Sequence, residues 1–371
     1  MKTETYILIL GGTGAIGKHL VRELDNQSNV RVVVTSRKVQ SNRNNTEFRH
    51  GDAHNMNWLL PVLQERIWDS IVDFMAYSTE EFSERVNLIL NCTKQYVYTS
   101  SARVYADAGN NPILEDSPRL LDVCRDEEYM QTDEYALAKA RQENFLLRSN
   151  HKNWTIIRPY ITFSENRLQL GVMEKESWLI PALNNRPIVF SKDIANHYTT
   201  LTDGLIVAKC IAALLNNPIA YGEIFHIASN ESHKWQDIFK WYVEAYKDAI
   251  GKEPKIHMTE EWDARFGGGM YQWKYDRMYN RWFDNSKICK FVPCDIFDST
   301  EDSLKRSLRS FIGSYKPSLE DLDYNTEIAR GELSGDFLPI NQAHGLKKKL
   351  KILAYKLRIQ NFIKSTRSIW N

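Results

Sequence analysis

The 371-residue sequence has no run of apolar residues approaching the roughly 18 that a membrane-spanning helix needs. It has no charge imbalance either. The 48 Lys and Arg stand against 47 Asp and Glu, so no global field points to nucleic acid or to a strongly acidic partner. Cysteine is scarce. Cys92, Cys124, Cys210, Cys289 and Cys294 are odd in number and scattered, the usage expected of reduced thiols. Cys289 and Cys294 lack His or Cys companions at zinc spacing, so no metal is expected. The first residues lack the basic flank and small-residue cleavage site of a signal peptide, and the cytoplasm is the expected compartment. Hydrophobic residues at 43% and charged residues at 26% describe a globular protein with a substantial core, in one large domain or two smaller ones.

The first half alternates two patterns. "TYILILGGTGAIGKHLVREL" is a short apolar run, a glycine cluster and then a helical periodicity. "VRVVVTSR", "SIVDFMAY" and "QYVYTSS" are further buried-strand runs with helical stretches between them, and "WTIIRPY" and "EIFHIAS" add two more. Strands alternating with helices predict an α/β fold: a Rossmann-type, doubly wound parallel sheet. The expected division is a nucleotide-binding domain over 1–165 with returning segments near 195–230. A smaller substrate-binding lobe is expected over 166–194 and 231–335, and a basic tail over 336–371.

Gly12-x-Gly14-x-x-Gly17 follows a strand and opens a helix. In that context the first glycine serves the tight turn, the second admits a pyrophosphate to the backbone, and the third lets helix and strand pack closely. The helix N-terminus offers N–H groups and a positive dipole end to the phosphates. Cofactor contacts are therefore expected from Gly11, Gly12, Thr13, Gly14, Ile16 and Gly17. A dinucleotide site of this kind often carries an acid at the end of the second strand, on the adenine ribose. Here the strand ends Thr35-Ser36-Arg37-Lys38, with no carboxylate. A 2′-phosphate would welcome a guanidinium and a hydroxyl, so the expectation is NADP with Arg37 the main contact and Ser36 secondary, NAD being the alternative.

"YALAK" places Tyr135 and Lys139 one helical turn apart on one face. By this point the chain resembles the extended short-chain dehydrogenase/reductases, the group of nucleotide-sugar epimerases, dehydratases and ketoreductases. The glycines also read Gly11-x-x-Gly14-x-x-Gly17. "HGDAHN" is similar to the family's adenine-binding motif, "YVYTSSARVYA" to its serine strand, "YALAK" to its catalytic pair, "TIIRPY" to the segment over the nicotinamide, and "GEIFHIAS" to its last strand. In order, these cover about residues 5 to 310. The resemblance implies Asp52 at the adenine, Pro159 near the nicotinamide, Tyr135 and Lys139 as the catalytic pair, and Ser101 as the substrate-orienting hydroxyl with Ser100 next. The chemistry suits those residue types. A phenol with its ordinary pKa near 10 is a poor base at neutral pH. An ammonium one turn away favours the phenolate, so a proton can be relayed as hydride moves.

The family's 4,6-dehydratases carry Asp-Glu after the serine or threonine, where this chain has Ala102-Arg103, which argues against dehydration. The expected reaction is NADP-dependent oxidoreduction at a ring carbon of a nucleotide-diphosphate sugar, leaning to ketoreduction, with epimerisation by transient oxidation as the alternative. A catalytically silent, RNA-associated member is a further alternative, weakened by the presence of Tyr, Lys and Ser together; nucleic acid is not an expected partner. Many relatives have an asparagine where Ile161 stands, so the diphosphate duty is expected to pass to Asn166 or Arg167. Arg186, Arg277 and Arg281 are further candidate clamps. The family implies a homodimer. Beyond Asp336 the sequence has no Asp or Glu, while Leu346, Leu350, Leu353 and Leu357 recur at helical spacing among lysines. That basic amphipathic segment reads either as peripheral contact with the inner membrane face or as a helix packed on the body or a partner subunit.

Overall fold

The computed structural model describes residues 4–267, 269–297, 299–342 and 346–357. Its central sheet has seven strands: β1 (Thr5–Leu10), β2 (Val30–Ser36), β3 (Thr46–His50), β4 (Ser70–Asp73), β5 (Tyr96–Thr99), β6 (Trp154–Pro159) and β7 (Glu223–Ile227). The strand order is β7-β6-β5-β4-β1-β2-β3, and every neighbouring pair is parallel. The doubly wound sheet expected from the alternation of patterns is present. The winding reverses between β1 and β4, so the crevice at their carboxyl ends is the place where such a sheet binds ligands.

The two-residue period of a strand explains why both faces are covered. Ile7 and Ile9 of β1 join Val32, Val34, Val72 and Phe225 in one core. That core is closed by Leu20, Val21 and Leu24 of α1 (Gly17–Asp25) and by Val207 and Ile211 of the helix Gly204–Leu214. Leu8 and Leu10 point the other way, into a core with Val33, Ile71, Tyr96 and Ile156. It is closed by Leu59 and Leu63 of α2 (Met56–Gln64) and by Phe82, Val86 and Ile89 of α3 (Thr79–Asn91).

The chain divides into two compact units. The first comprises the chain up to Asn166 with Thr199–Ser232 and Tyr279–Ser303. The second comprises Arg167–Tyr198, His233–Met278 and the chain from Leu304. Segment 279–303 differs from the sequence reading, which gave it to the substrate lobe. It is tied to the first unit by main-chain bonds: the Ile113 N–H donates to the Trp282 carbonyl at 2.9 Å and the Asp284 N–H to the Ile113 carbonyl at 3.0 Å. Asn285 Nδ2 also donates to the Ala228 carbonyl at 2.8 Å. Within this segment Cys289 and Cys294 form a disulfide, with Cα atoms 5.2 Å apart. This corrects the expectation of reduced thiols for the pair. Two short 3₁₀ turns, Ile288–Lys290 and Cys294–Ile296, bring the sulfurs together, a proximity that spacing alone does not announce. Cys92, Cys124 and Cys210 are free.

The second unit is mostly helical around one parallel strand pair, Ile188–Ser191 with Ile256–Thr259. Phe190 stacks on Phe239 and Trp178 packs on Tyr242, each with ring centres 4.5 Å apart. Arg186 is buried and ion-paired with Glu327 at 2.8 Å and Asp336 at 2.7 Å, which fits a structural tie and not the expected diphosphate clamp. No helix among the described residues is long and apolar enough to cross a membrane. Residues 358–371 of the basic tail lie outside the described residues.

Candidate active site

The glycine turn after β1 separates into positions the fold needs and one it does not. Gly11 has φ +71°, a conformation that a residue with a side chain rarely adopts. A Cβ on Gly12 would stand 2.7 Å from Val34 Cγ1, and one on Gly17 would stand 2.7 Å from the Gly12 main chain. Those two are small because the turn is pressed between β2 and α1. A Cβ on Gly14 would meet nothing nearer than the Gly11 carbonyl at 3.8 Å. No described residue demands a glycine there, and the open backbone suits the approach of a pyrophosphate. The N-terminus of α1 follows at once, with Ile16 as its cap residue, no capping side chain and no acid in its first turn. Its N–H groups and dipole therefore suit an anion. Thr13 lies exposed in the same turn. The residues present fit a dinucleotide.

At the end of β2, the Gly11 N–H donates to Thr35 Oγ1 at 3.1 Å, tying that strand to the turn. Arg37 is exposed. Ser36 is buried, and its hydroxyl donates to the Lys38 carbonyl at 2.7 Å, so its proton is already engaged. Asp52 is exposed, with one carboxylate oxygen accepting the His54 N–H at 3.0 Å.

The Tyr135/Lys139 pair opens α4 (Tyr135–Leu147), capped by Glu134, whose carboxylate accepts the Ala136 N–H at 2.8 Å. Tyr135 is 41% exposed and Lys139 only 3%. The Lys139 ammonium donates to the Thr99 carbonyl at 2.8 Å and to the Met75 carbonyl at 3.3 Å. It therefore bridges the ends of β5 and β4, and lies 5.9 Å from the centre of the Tyr135 ring. Burial lowers its pKa from the ordinary value, opposed by Tyr135, Asp73 and Glu143. Immediately after β5, Ser100 and Ser101 divide the two duties the sequence left open. Ser100 Oγ donates to Glu143 Oε1 at 2.6 Å and is buried. Ser101 Oγ accepts the Arg103 N–H at 3.2 Å, which leaves its own O–H to donate.

Three residues of this region escaped sequence reasoning. Glu143 is one; continuing the spacing of four from Tyr135 through Lys139 reaches it, so the signal was there. Its carboxylate takes Arg158 as a two-point partner, at 2.8 and 2.7 Å, and Arg119 at 3.1 Å. A buried carboxylate so surrounded is a rigid acceptor for Ser100. Asp73 is another, an acid ending an apolar strand. It accepts the Met75 N–H at 2.9 Å and the Tyr96 hydroxyl at 2.8 Å, and burial pushes its pKa up. The third is Arg103, whose guanidinium lies 5.3 Å from the Tyr135 ring centre and pairs with Glu134 at 2.6 Å. No sequence pattern places that cation there.

The substrate-side candidates are less uniform. Pro159 is buried, closing β6 in register with Ile227. Just beyond it, Ile161 has φ +27°, an unusual conformation for a β-branched residue at the position where many relatives have asparagine. Asn166 is exposed, its N–H donating to Ser164 Oγ at 3.3 Å. Arg281, in the first unit, is buried and donates to the Ala106 and Tyr105 carbonyls at 2.9 and 3.0 Å. In the second unit, Arg277 is buried, donates to the Gly171 carbonyl at 2.8 Å and pairs with Asp276. Burial and internal partners set Arg277 and Arg281 at odds with the expected diphosphate clamp: their guanidinium donors serve main-chain carbonyls and, for Arg277, the Asp276 carboxylate as well. Arg167, also in the second unit, pairs with Glu174 at 3.0 Å and stays partly exposed.

The NAD dependent epimerase/dehydratase family model matches residues 7–201, more than half of the chain. No curated protein matches the sequence. Among solved structures, the chain is similar to dTDP-glucose 4,6-dehydratase from Bacillus anthracis in complex with NAD, at 17% identity and a TM-score of 0.62 over 84% of this chain and 97% of that one. It is similar to UDP-glucuronic acid 4-epimerase from Bacillus cereus in complex with NAD, at 16% identity and TM-score 0.59 over 83% and 99%. It also resembles UDP-N-acetylglucosamine 4-epimerase from Methanobrevibacter ruminantium in complex with UDP-N-acetylmuramic acid, at 17% identity and TM-score 0.63 over 84% and 98%. At such identities these likenesses carry the fold, while the matched motif region carries the membership. The chain belongs to the NAD dependent epimerase/dehydratase family.

Proposed function

We propose that this protein is an NADP-dependent ketoreductase acting at a ring carbon of a nucleotide-diphosphate sugar. The observation that carries the reading is Lys139, locked by two main-chain carbonyls beside an accessible Tyr135, with the Ser101 hydroxyl still able to donate. Bound at the glycine turn, the dinucleotide supplies the hydride. Ser101 donates a hydrogen bond to the substrate carbonyl oxygen and fixes its direction. Tyr135 gives its proton to that oxygen, so the phenol O–H bond breaks as the new carbinol O–H forms. Lys139 offsets the negative charge left on the phenolate, which solvent then reprotonates. Gly14 admits the pyrophosphate, and exposed Arg37 is the contact for an adenosine 2′-phosphate.

The second reading is epimerisation, in which hydride leaves the sugar and returns to its opposite face with no net use of cofactor. The family match and the 4-epimerases among the similar structures favour it. NAD then becomes the expected cofactor, as in the named complexes.

The deciding experiment incubates the protein with NADPH or NADH and a panel of UDP- and dTDP-sugars and their 4-keto forms. Stoichiometric loss of nicotinamide absorbance supports the reductase, and product without net loss supports the epimerase. Tyr135→Phe is expected to lower kcat by about 10²–10⁴-fold, with dinucleotide affinity unchanged. A Tyr135→Phe variant as active as the parent ends both readings.

A further inference from the structure

The last described helix, α5 (Leu346–Lys356), has two apolar faces, and among the described residues only one is packed. Ile352 and Ala354 are buried, at 1% and 4% exposure. Ile352 and Tyr355 complete a cluster in the second unit with Ile180, Leu322, Ile328 and Leu338. That contact is enough to seat the helix. Leu350, Leu353 and Leu357, the last lying one residue past the helix, take no part in it and remain 53%, 36% and 56% exposed. At about 100° per residue these three leucines fall within an arc of about 60°, Ile352 and Tyr355 lie on the far side of the helix, and buried Ala354 marks the edge of the packed surface beside Leu350. The two readings of this segment in the sequence are thus not exclusive. One face packs on the body, and the leucine stripe is a different face.

We propose that this leucine stripe docks the protein on an anionic lipid surface. Charge decides the occupant. Lys347, Lys348, Lys349, Lys351 and Lys356 belong to the helix, and Arg358, Lys364 and Arg367 follow in the sequence, with no Asp or Glu after Asp336. Both Lys349 and Lys356 are at least partly exposed. A second copy of the chain would bring the same positive charge against this stripe. A nucleic acid would use the lysines and leave three leucines in water. An anionic bilayer uses both features together: the leucines enter the apolar boundary while the ammonium groups meet lipid phosphates. The inference is independent of the reaction, because none of these residues belongs to the catalytic or cofactor-binding set.

The test is flotation of the full-length protein with phosphatidylcholine vesicles, with and without phosphatidylglycerol. Co-flotation is expected with the mixed vesicles only, weakening as salt is raised. The triple variant Leu350→Ser, Leu353→Ser, Leu357→Ser should lower the bound fraction at least about tenfold. Its melting temperature should stay unchanged, because the packing face is untouched. Lys349→Glu with Lys356→Glu should also release the protein. Failure of the parent to float, or equal flotation of the leucine variant, overturns the proposal. So does a leucine variant that floats normally but has shifted from dimer to monomer in solution, since the stripe then faces a second copy. Salt-sensitive RNA binding in place of flotation overturns it as well.

Discussion

The Arg103 guanidinium stands 5.3 Å from the centre of the Tyr135 ring, and Glu134 holds it there through an ion pair of 2.6 Å. The phenol therefore has two cations near its ring, Arg103 from the turn after β5 and Lys139 from its own helix. A positive charge over an aromatic ring is worth about 0.5–2 kcal/mol, and more once the ring system bears negative charge. Arg103→Met is expected to cut kcat about tenfold while leaving dinucleotide affinity intact. Steady-state kinetics beside a cofactor titration separates the two quantities, and an unaltered kcat would reduce Arg103 to a support for Glu134.

Ser100 and Ser101 are neighbours with different commitments. Ser101→Ala removes the hydroxyl able to donate to substrate, and kcat should fall about 10²-fold, with a stability loss of only about 1 kcal/mol from the Arg103 N–H it no longer caps. Ser100→Ala removes one donor from buried Glu143, which keeps both arginines. The cost should be about 1–2 kcal/mol of stability with kcat changed only a few-fold. Thermal melts and turnover measured on both variants would expose a reversed assignment at once.

Gly14 and Gly17 make a second contrast. A methyl at Gly17 meets the Gly12 main chain at 2.7 Å, so Gly17→Ala should destabilise the protein by about 1–3 kcal/mol. A methyl at Gly14 meets only the Gly11 carbonyl at 3.8 Å, an ordinary contact, so Gly14→Ala should melt like the parent yet bind dinucleotide at least about tenfold more weakly. Normal affinity in the folded Gly14 variant would mean that the turn does not hold a pyrophosphate.

Acid should weaken the fold in a defined window. His226 is buried, its Nε2 donating to the Asp284 carbonyl at 2.7 Å, and burial lowers its pKa from 6.5 to about 4. His19 is likewise lowered to about 4 by burial. Between those values the two histidines bind more protons in the unfolded chain than in the folded one, so their contribution to stability is lost as pH falls from 6.5 towards 4. The carboxyls of Asp73 and Glu115, whose pKa values burial raises, oppose that loss. His226 contributes on the order of 3 kcal/mol across the window, and His19, less deeply enclosed and screened by solvent, contributes less. Urea denaturation at a series of pH values should show this slope, and His226→Gln should remove the larger part of it. An unchanged slope in that variant would place the titrating group elsewhere.

The glycine turn, the Tyr/Lys pair and the serine strand were legible because each is a local pattern. A turn radius, one helical pitch and a strand's alternation are set by residues a few positions apart, and the local chemistry needs no other part of the chain. The missing carboxylate after β2 was legible for the same reason. Ser36 was not, because its engagement with Lys38 depends on the path of the loop. Glu143 and Ser100 are 43 positions apart, and nothing in their separate contexts announces a bond of 2.6 Å. Arg281 reads as a candidate diphosphate clamp until segment 279–303 is placed in the first unit, where it reaches the carbonyls of Tyr105 and Ala106.

The amino-acid order alone determined the alternating strands and helices, the glycine turn and the phenol–ammonium pair, since short-range sterics and side-chain periodicity suffice for each. Only the tertiary structure decided which serine keeps a donor, which arginines became structural, that Cys289 meets Cys294, and which face of the last helix is left in solvent. Those outcomes depend on burial. Burial is a property of distant segments brought together, where an unpaired charge or donor costs too much to leave unsatisfied.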